Sequence, residues 1–257
     1  MHASTEELLY VLLWTAESVL RPSWRNLDDT FESWALRNRL NRRLAALEQQ
    51  KLLERNPDAD TRRVYRLTIE GRRLALGGRD PEQRWNRAWD GRWRMVLFDL
   101  PVKATALRAS MRRFLLEHGF GYLQQSVWIT PDSLEEIRGW LGSLPATAES
   151  LILFEGRPCG GETDAAMVRG AWDFSAINAR YERHHAIAGE CPLLPGARAD
   201  PGPGFWSWAR REREAWRAAL RLDPLLPREL QPPGYLARRS WDQRQELFRR
   251  FGRGLRS

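Results

Sequence analysis

The chain has 257 residues, a formal net charge of +8, 29% charged residues and 42% apolar residues. This composition excludes a disordered polymer and leaves length for two or three small cores. With no long uninterrupted apolar run, no membrane-spanning helix is expected, and Glu6 and Glu7 near the start do not fit a secretory signal. Only two cysteines, Cys159 and Cys191, occur, which points to a reducing cytoplasm rather than a disulfide framework. The positive charge suits a polyanionic partner. Nearly all of it is arginine, a bias that GC-rich coding would also produce, so the placement of the arginines carries more information than their number.

The first part of the chain, residues 1–78, begins with a helix expected over Thr5 to Leu20. Ser4 can cap it, and Leu8, Leu9, Leu12 and Leu13 form its buried face. Arg21-Pro22-Ser23 stops it, and a short helix follows over Leu27 to Trp34. The next helix carries Leu40, Leu44 and Leu47 at three- and four-residue spacing, so one face packs inward. Arg39, Asn41, Arg42 and Arg43 lie mostly off that stripe. Lys51 to Glu54 alternates into a strand, Asn56 to Asp60 is a turn, and Arg63 to Leu67 returns as a second strand with Arg62 beside the turn. Thr68 caps a last short helix through Leu76, and Gly77-Gly78 ends it. This is the layout of a winged helix-turn-helix, in which the helix enters the major groove of double-stranded DNA and the hairpin reaches the backbone. The competing reading of the same residues is a solvated face on an arginine-rich protein.

The second part, residues 90–161, opens with an apolar strand over Trp93 to Phe98 that ends at Asp99-Leu100-Pro101. A helix over Ala104 to His118 turns Leu107, Met111, Phe114 and Leu115 inward, and Gly119-Phe120-Gly121 closes it. Tyr122-Leu123 and Ser126 to Thr130 pair as strands. Pro131-Asp132-Ser133 starts a helix containing Leu134, Ile137 and Leu141, and Ser150 to Glu155 is the last strand. Strand, helix, strand, strand, helix, strand is the split βαβ order of a ferredoxin-like domain.

The third part, residues 165–257, is expected to be helical: one long helix over Ala166 to His185, a second over Phe205 to Leu222 and a shorter one over Trp241 to Phe251, joined by proline-rich connectors. Trp172, Tyr181 and Trp216 on these helices are core residues on one reading. On the other they line an aromatic pocket for an acyl group, with Arg183 meeting a carboxylate or phosphate. The four histidines lack zinc-ligand spacing, and there is no phosphate-binding loop, nucleophile elbow or dinucleotide fingerprint, so no metal, no cofactor and no enzymatic activity are expected.

Several fragments together resemble the PaaX family of bacterial transcriptional repressors. These are Trp89-Asp90-Gly91-Arg92-Trp93 with Phe98-Asp99-Leu100-Pro101, Gly119-Phe120-Gly121 with Val127-Trp128-Ile129-Thr130-Pro131, Ala171-Trp172-Asp173 with Tyr181, and Trp216 with Asp223-Pro224-Leu225-Leu226-Pro227-Arg228-Glu229-Leu230. The resemblance implies an α+β chain with an N-terminal winged helix, a central ferredoxin-like domain similar to the CRISPR protein Cas2, and a helical C-terminal domain. It also implies a cytoplasmic homodimer that represses transcription from double-stranded operator DNA and is released by a small effector, an aryl-acyl-CoA thioester in the family's namesake. The chain departs from the family before the third helix and at the wing turn Pro57 to Asp60, which lacks glycine.

Arg39, Asn41, Arg42 and Arg43 are thus the expected groove contacts, and Arg62 and Arg63 the expected phosphate contacts. Trp172, Tyr181, Arg183 and Trp216 are the candidate effector residues. The alternative is a Cas2-like metal-dependent nuclease or nucleic-acid-processing accessory, in which Asp99 would hold a divalent ion, with Asp90 and Asp132 the nearest further carboxylates.

Overall fold

The computed structural model describes residues 41–55, 65–98, 103–124, 126–142, 151–192 and 203–254. The helices expected over Thr5–Leu20 and Leu27–Trp34, Arg39, the wing turn with Arg62 and Arg63, and Asp99 lie outside the described residues. The chain divides into two compact units. One comprises Met1–Asp80, Tyr181–Arg217 and Ala237–Ser257, and the other Pro81–Arg180 and Ala218–Leu236. The helical C-terminal segment contributes residues to both.

In the first unit, helix α1 (Asn41–Gln49) buries Leu44 and Leu47. It ends in a Schellman motif: the Leu52 N–H donates to the Leu47 carbonyl and the Lys51 N–H to that of Glu48, both at 2.9 Å. Lys51, at φ 56°, occupies the left-handed position that glycine usually fills, which is why no glycine marked this stop in the sequence. Strands β1 (Leu53–Arg55) and β2 (Tyr65–Leu67) pair antiparallel, Leu53 opposite Leu67. Helix α2 (Ile69–Ala75) starts at Thr68, whose hydroxyl accepts from the Gly71 N–H at 3.0 Å and donates to the Lys51 carbonyl at 2.8 Å. At Gly71 a Cβ would stand 2.0 Å from the Leu52 carbonyl oxygen, so only glycine lets α2 come this close.

The second unit holds a short helix, α3 (Pro81–Trp85), which the sequence did not signal, and a four-stranded antiparallel sheet. Its strands are β3 (Trp93–Phe98), β4 (Gly121–Gln124), β5 (Val127–Thr130) and β6 (Leu151–Gly156), in spatial order β4-β5-β3-β6. Helix α4 (Thr105–Glu117) follows β3 and α5 (Glu135–Gly142) follows β5. The order and connections are those of the ferredoxin-like fold expected from the sequence. On one face Val96, Phe98 and Trp128 pack with Met111, Leu115, Phe120, Leu134 and Ile137. On the other, helix α6 (Asp164–Ala171) lies against β4; there a Cβ on Gly121 would meet the Ala171 side chain and the Trp172 ring at 2.6 Å.

The single helix expected over Ala166 to His185 is two. α6 ends at Trp172, which is extended at φ −130° and ψ 137°, and α7 (Phe174–Gly189) starts afresh, the Asp173 carboxylate accepting from the Ala176 N–H at 2.9 Å. α6 itself is capped by Thr163, whose hydroxyl accepts from the Ala166 N–H. Two long helices follow, α8 (Pro203–Leu222) and α9 (Ala237–Gly254). Among the described residues no helix is long and apolar enough to cross a membrane.

Candidate functional site

Three places carry candidate chemistry. The first is α1 with its ribbon. Asn41, Arg42 and Arg43 are the first three residues of α1, on the element that Leu44 and Leu47 anchor. The Thr68 and Gly71 contacts fasten α2 to the segment between α1 and β1, so helix, ribbon and following helix form one braced piece.

The second is an open cleft of about 550 Å³ in the other unit, bordered by Tyr122, Arg169, Trp172, Asp173, Phe174 and Pro232. It exists because the chain breaks between α6 and α7. Trp172 stays buried, its ring tilted 37° to that of Trp93 with centroids 6.1 Å apart, and the Trp93 indole N–H donates to Asp164 at 2.8 Å. Among the described residues the Trp172 Nε1 proton has no acceptor. Arg169 is exposed at the rim. Aromatic walls and one cation at the rim suit a planar apolar group that carries an acceptor or an anion.

The third is a buried polar cluster in the first unit. Of the other candidate effector residues, Tyr181 and Trp216 meet here with ring centroids 6.0 Å apart, both fully buried, while Arg183 is exposed on α7. Beside them, and unforeseen, His184 donates from Nε2 to Glu212 at 2.9 Å and Arg244 donates from Nε to the same oxygen at 2.7 Å. Because Glu212 accepts at Nε2, the neutral ring carries its proton there. Burial pushes the His184 pKa down to about 3, with the charges of Arg244 and His185 acting in the same direction. Burial pushes Glu212 up, opposed by Arg244 and Arg213. The Arg244 guanidinium lies 4.9 Å over Trp216, which stacks on Trp241 at 5.4 Å.

The two carboxylates that a metal-dependent nuclease would draw on besides Asp99 are already paired. Asp132 accepts from Arg84 and from Arg87, and Asp90 from Arg94. The Arg94 bonds hold Asp90 below the usual carboxylate range. Among the described residues no group of three or more His, Cys, Asp or Glu side chains is placed to hold a metal ion.

The tail octapeptide is a structural clasp. Asp223 accepts from the Leu225 N–H at 2.8 Å and from the Tyr235 hydroxyl, which in turn accepts from Trp85 Nε1 at 3.2 Å. Arg87 donates to the Leu225 carbonyl while holding Asp132.

The central sheet therefore defines a class, a ferredoxin-like domain of Cas2 type. Residues 86–168 match the family model of the PaaX protein central Cas2-like domain, which bears out the resemblance for the fragments between Trp89 and Pro131. Among solved structures, the uncharacterized protein Rv0674 from Mycobacterium tuberculosis is similar over 95% of both chains, with a TM-score of 0.55 and 20% identity. At that identity the likeness is one of fold. No curated protein matches the chain.

Proposed function

We propose that the chain is a PaaX-type transcriptional regulator: an N-terminal winged helix-turn-helix binds palindromic double-stranded operator DNA as a homodimer, and a small effector releases it. The observation that carries this reading is the joint presence of a PaaX central domain and, ahead of it, a braced helix-ribbon-helix that starts with Asn41, Arg42 and Arg43. Arg39 precedes that helix, and Arg62 and Arg63 lie in the segment joining the ribbon's strands. Helix residues at the base edges would give specificity, and arginines at the wing would hold the phosphates.

The test is operator binding by the full chain at fixed salt, using DNA from upstream of its own gene and its neighbours. Replacing Arg42 and Arg43 with alanine should cost on the order of 2–5 kcal/mol of binding with an unchanged circular dichroism spectrum. Wild-type affinity in that variant would overturn the assignment. Alanine at Arg62 and Arg63 should weaken specific and non-specific DNA alike and flatten the salt dependence, because phosphates carry no sequence.

We place the effector in the cleft at Trp172, whose aromatic walls and rim arginine match an aryl-acyl group with its carbonyl. Calorimetry with phenylacetyl-CoA should show binding that Trp172→Ala and Arg169→Ala weaken. Heat of binding that neither variant changes would move the effector elsewhere. An effector derepresses only if it prefers the arrangement that does not bind operator. The regulator is expected to leave DNA and RNA uncut with Mg²⁺ or Mn²⁺; cutting that Asp99→Asn abolishes would replace it with the nuclease alternative.

A further inference from the structure

β6 ends the central sheet. It pairs with β3 over six residues without a bulge, and among the described residues no strand lies on its outer side. Sheet edges are ordinarily guarded by lysine, proline, bulges or a covering element, because their free backbone groups invite another strand. β6 reads Leu-Ile-Leu-Phe-Glu-Gly, without lysine or proline, and its one charge, Glu155, is already tied to Arg92 and Arg94 of its own chain. Ile152, Leu153 and Phe154 are 59%, 36% and 53% exposed. The β3 register puts Leu153 and Glu155 on the face that α4 and α5 cover, opposite Val96 and Arg94. It puts Ile152 and Phe154 on the other face, beside Leu97 and Met95.

We propose that β6 is the edge at which two copies of this chain pair, antiparallel, with Leu153 on the two-fold axis. The strand is its own complement in that register. Ile152 stands opposite the partner's Phe154, and Phe154 opposite the partner's Ile152, two aromatic to β-branched pairs of the kind that stabilise sheets. Leu153 meets the partner's Leu153. Glu155 stands opposite the partner's Leu151 and keeps its ion pairs with Arg92 and Arg94 at 2.8 and 3.0 Å, so like charges do not meet. Moving the axis to Ile152 would set Phe154 against Ser150, and moving it to Phe154 would set Ile152 against Gly156; only the Leu153 axis keeps the apolar run paired with itself. The half-buried Met95 and Leu97 extend the same apolar face into each copy. An isologous contact of this kind gives the closed two-fold dimer that a palindromic operator requires. The inference deepens the homodimer of the proposed function by naming its surface, and it can fail apart from DNA binding.

The test uses sedimentation of the full chain without DNA, together with oxidative cross-linking. Wild type is expected to be a dimer at micromolar concentration. Leu153→Lys sets two lysines face to face on the axis, and Phe154→Lys sets lysine against isoleucine twice; each should weaken the dimer by at least about tenfold. Leu153→Cys should form a covalent dimer on mild oxidation, because directly opposed Cα atoms of an antiparallel pair stand about 4.5–5.5 Å apart, within the span that a disulfide bridges. Oxidised wild type, which carries the exposed Cys159, sets the background. A monomeric wild type, a dimer that survives both lysine substitutions with native circular dichroism, or a Leu153→Cys chain that cross-links no more than wild type would each overturn the proposal. Should the lysine variants misfold, the cysteine variant decides alone. A β6 dimer without operator affinity would overturn the proposed function and leave this interface standing, whereas operator binding by a monomer would overturn this interface and the homodimer while leaving DNA binding in place.

Discussion

The two units each contain a carboxylate held by cationic or polar partners, and they hold it in opposite ways. In the second unit Asp132 is half-buried and shared by Arg84 and by Arg87, which also donates to the Arg84 and Leu225 carbonyls. In the first unit Glu212 is fully buried and holds Arg244 and His184, with Arg213 adding charge nearby. Trp216 and Trp241 beside it bury indole protons without acceptors. A half-buried pair retains solvent as an alternative partner when one member is removed. A sealed pair does not, so the cost of breaking it includes leaving a charge in the core. The first arrangement tolerates change, and the second commits the fold to one neutral ring, one anion and one cation.

Four measurements break or sharpen that contrast. Glu212→Gln should cost on the order of 3–5 kcal/mol in urea unfolding, since Arg244 is left without its counter-charge. Adding Arg244→Met should recover much of that loss, and a double variant as unstable as the single one would mean that packing, not charge, dominates. Asp132→Asn should cost less, about 1–3 kcal/mol, by weakening charge-assisted bonds at a site that water can reach. If it costs as much as Glu212→Gln, the contrast between the two carboxylates is wrong.

The third measurement is pH. His184 has an ordinary pKa of 6.5 and a folded value pushed down to about 3, so between these values the unfolded chain binds the extra proton. Its contribution is therefore complete above pH 6.5 and is lost as pH falls towards 3. Glu212, raised by burial, acts in the opposite sense above its ordinary 4.5, so the histidine's part is read as the difference between wild type and His184→Asn. That difference should approach about 1.4 kcal/mol per pH unit between the two His184 values, the variant having the flatter acid limb. An unchanged slope in that variant would assign the acid sensitivity elsewhere. The smallest effect is a gain. Lys51→Gly removes a left-handed lysine but adds freedom to the unfolded chain, for a net stabilisation of roughly 0.5–1 kcal/mol by thermal unfolding.

How much of this was legible depended on whether the pattern ran with or against the local rule. β3 and β5 were readable as apolar runs between turn residues, and Thr68 as a cap, because local propensity and burial agree there. The break at Trp172-Asp173 was hidden by apolar spacing that continues through it, although an aspartate three residues before Ala176 is a cap signal in its own right. The polar cluster was missed for a related reason. Glu212 lies four residues from both Trp208 and Trp216, His184 three from Tyr181, and Arg244 three from Trp241. Each takes a core position on an apolar stripe, and within Arg210 to Arg217 the dense surrounding charge made Glu212 look like surface. The core role that the sequence allowed Tyr181 and Trp216 matches their complete burial, and Trp172 is the effector candidate that borders an open cleft. Of the groove candidates, Asn41, Arg42 and Arg43 fall on a helix, and Arg39, Arg62 and Arg63 lie outside the described residues.

The clasp of Asp223 to Leu230 has a consequence for inheritance. From Asp223 through Pro227 every residue is buried, and Leu225 holds φ 51°, a conformation few side chains accept. Selection on such a segment acts through folding, whatever the protein binds. The octapeptide can therefore persist while α1 and the cleft at Trp172 diverge. As a lineage marker it would group chains by shared ancestry and shared architecture, and two chains carrying it could answer to different signals.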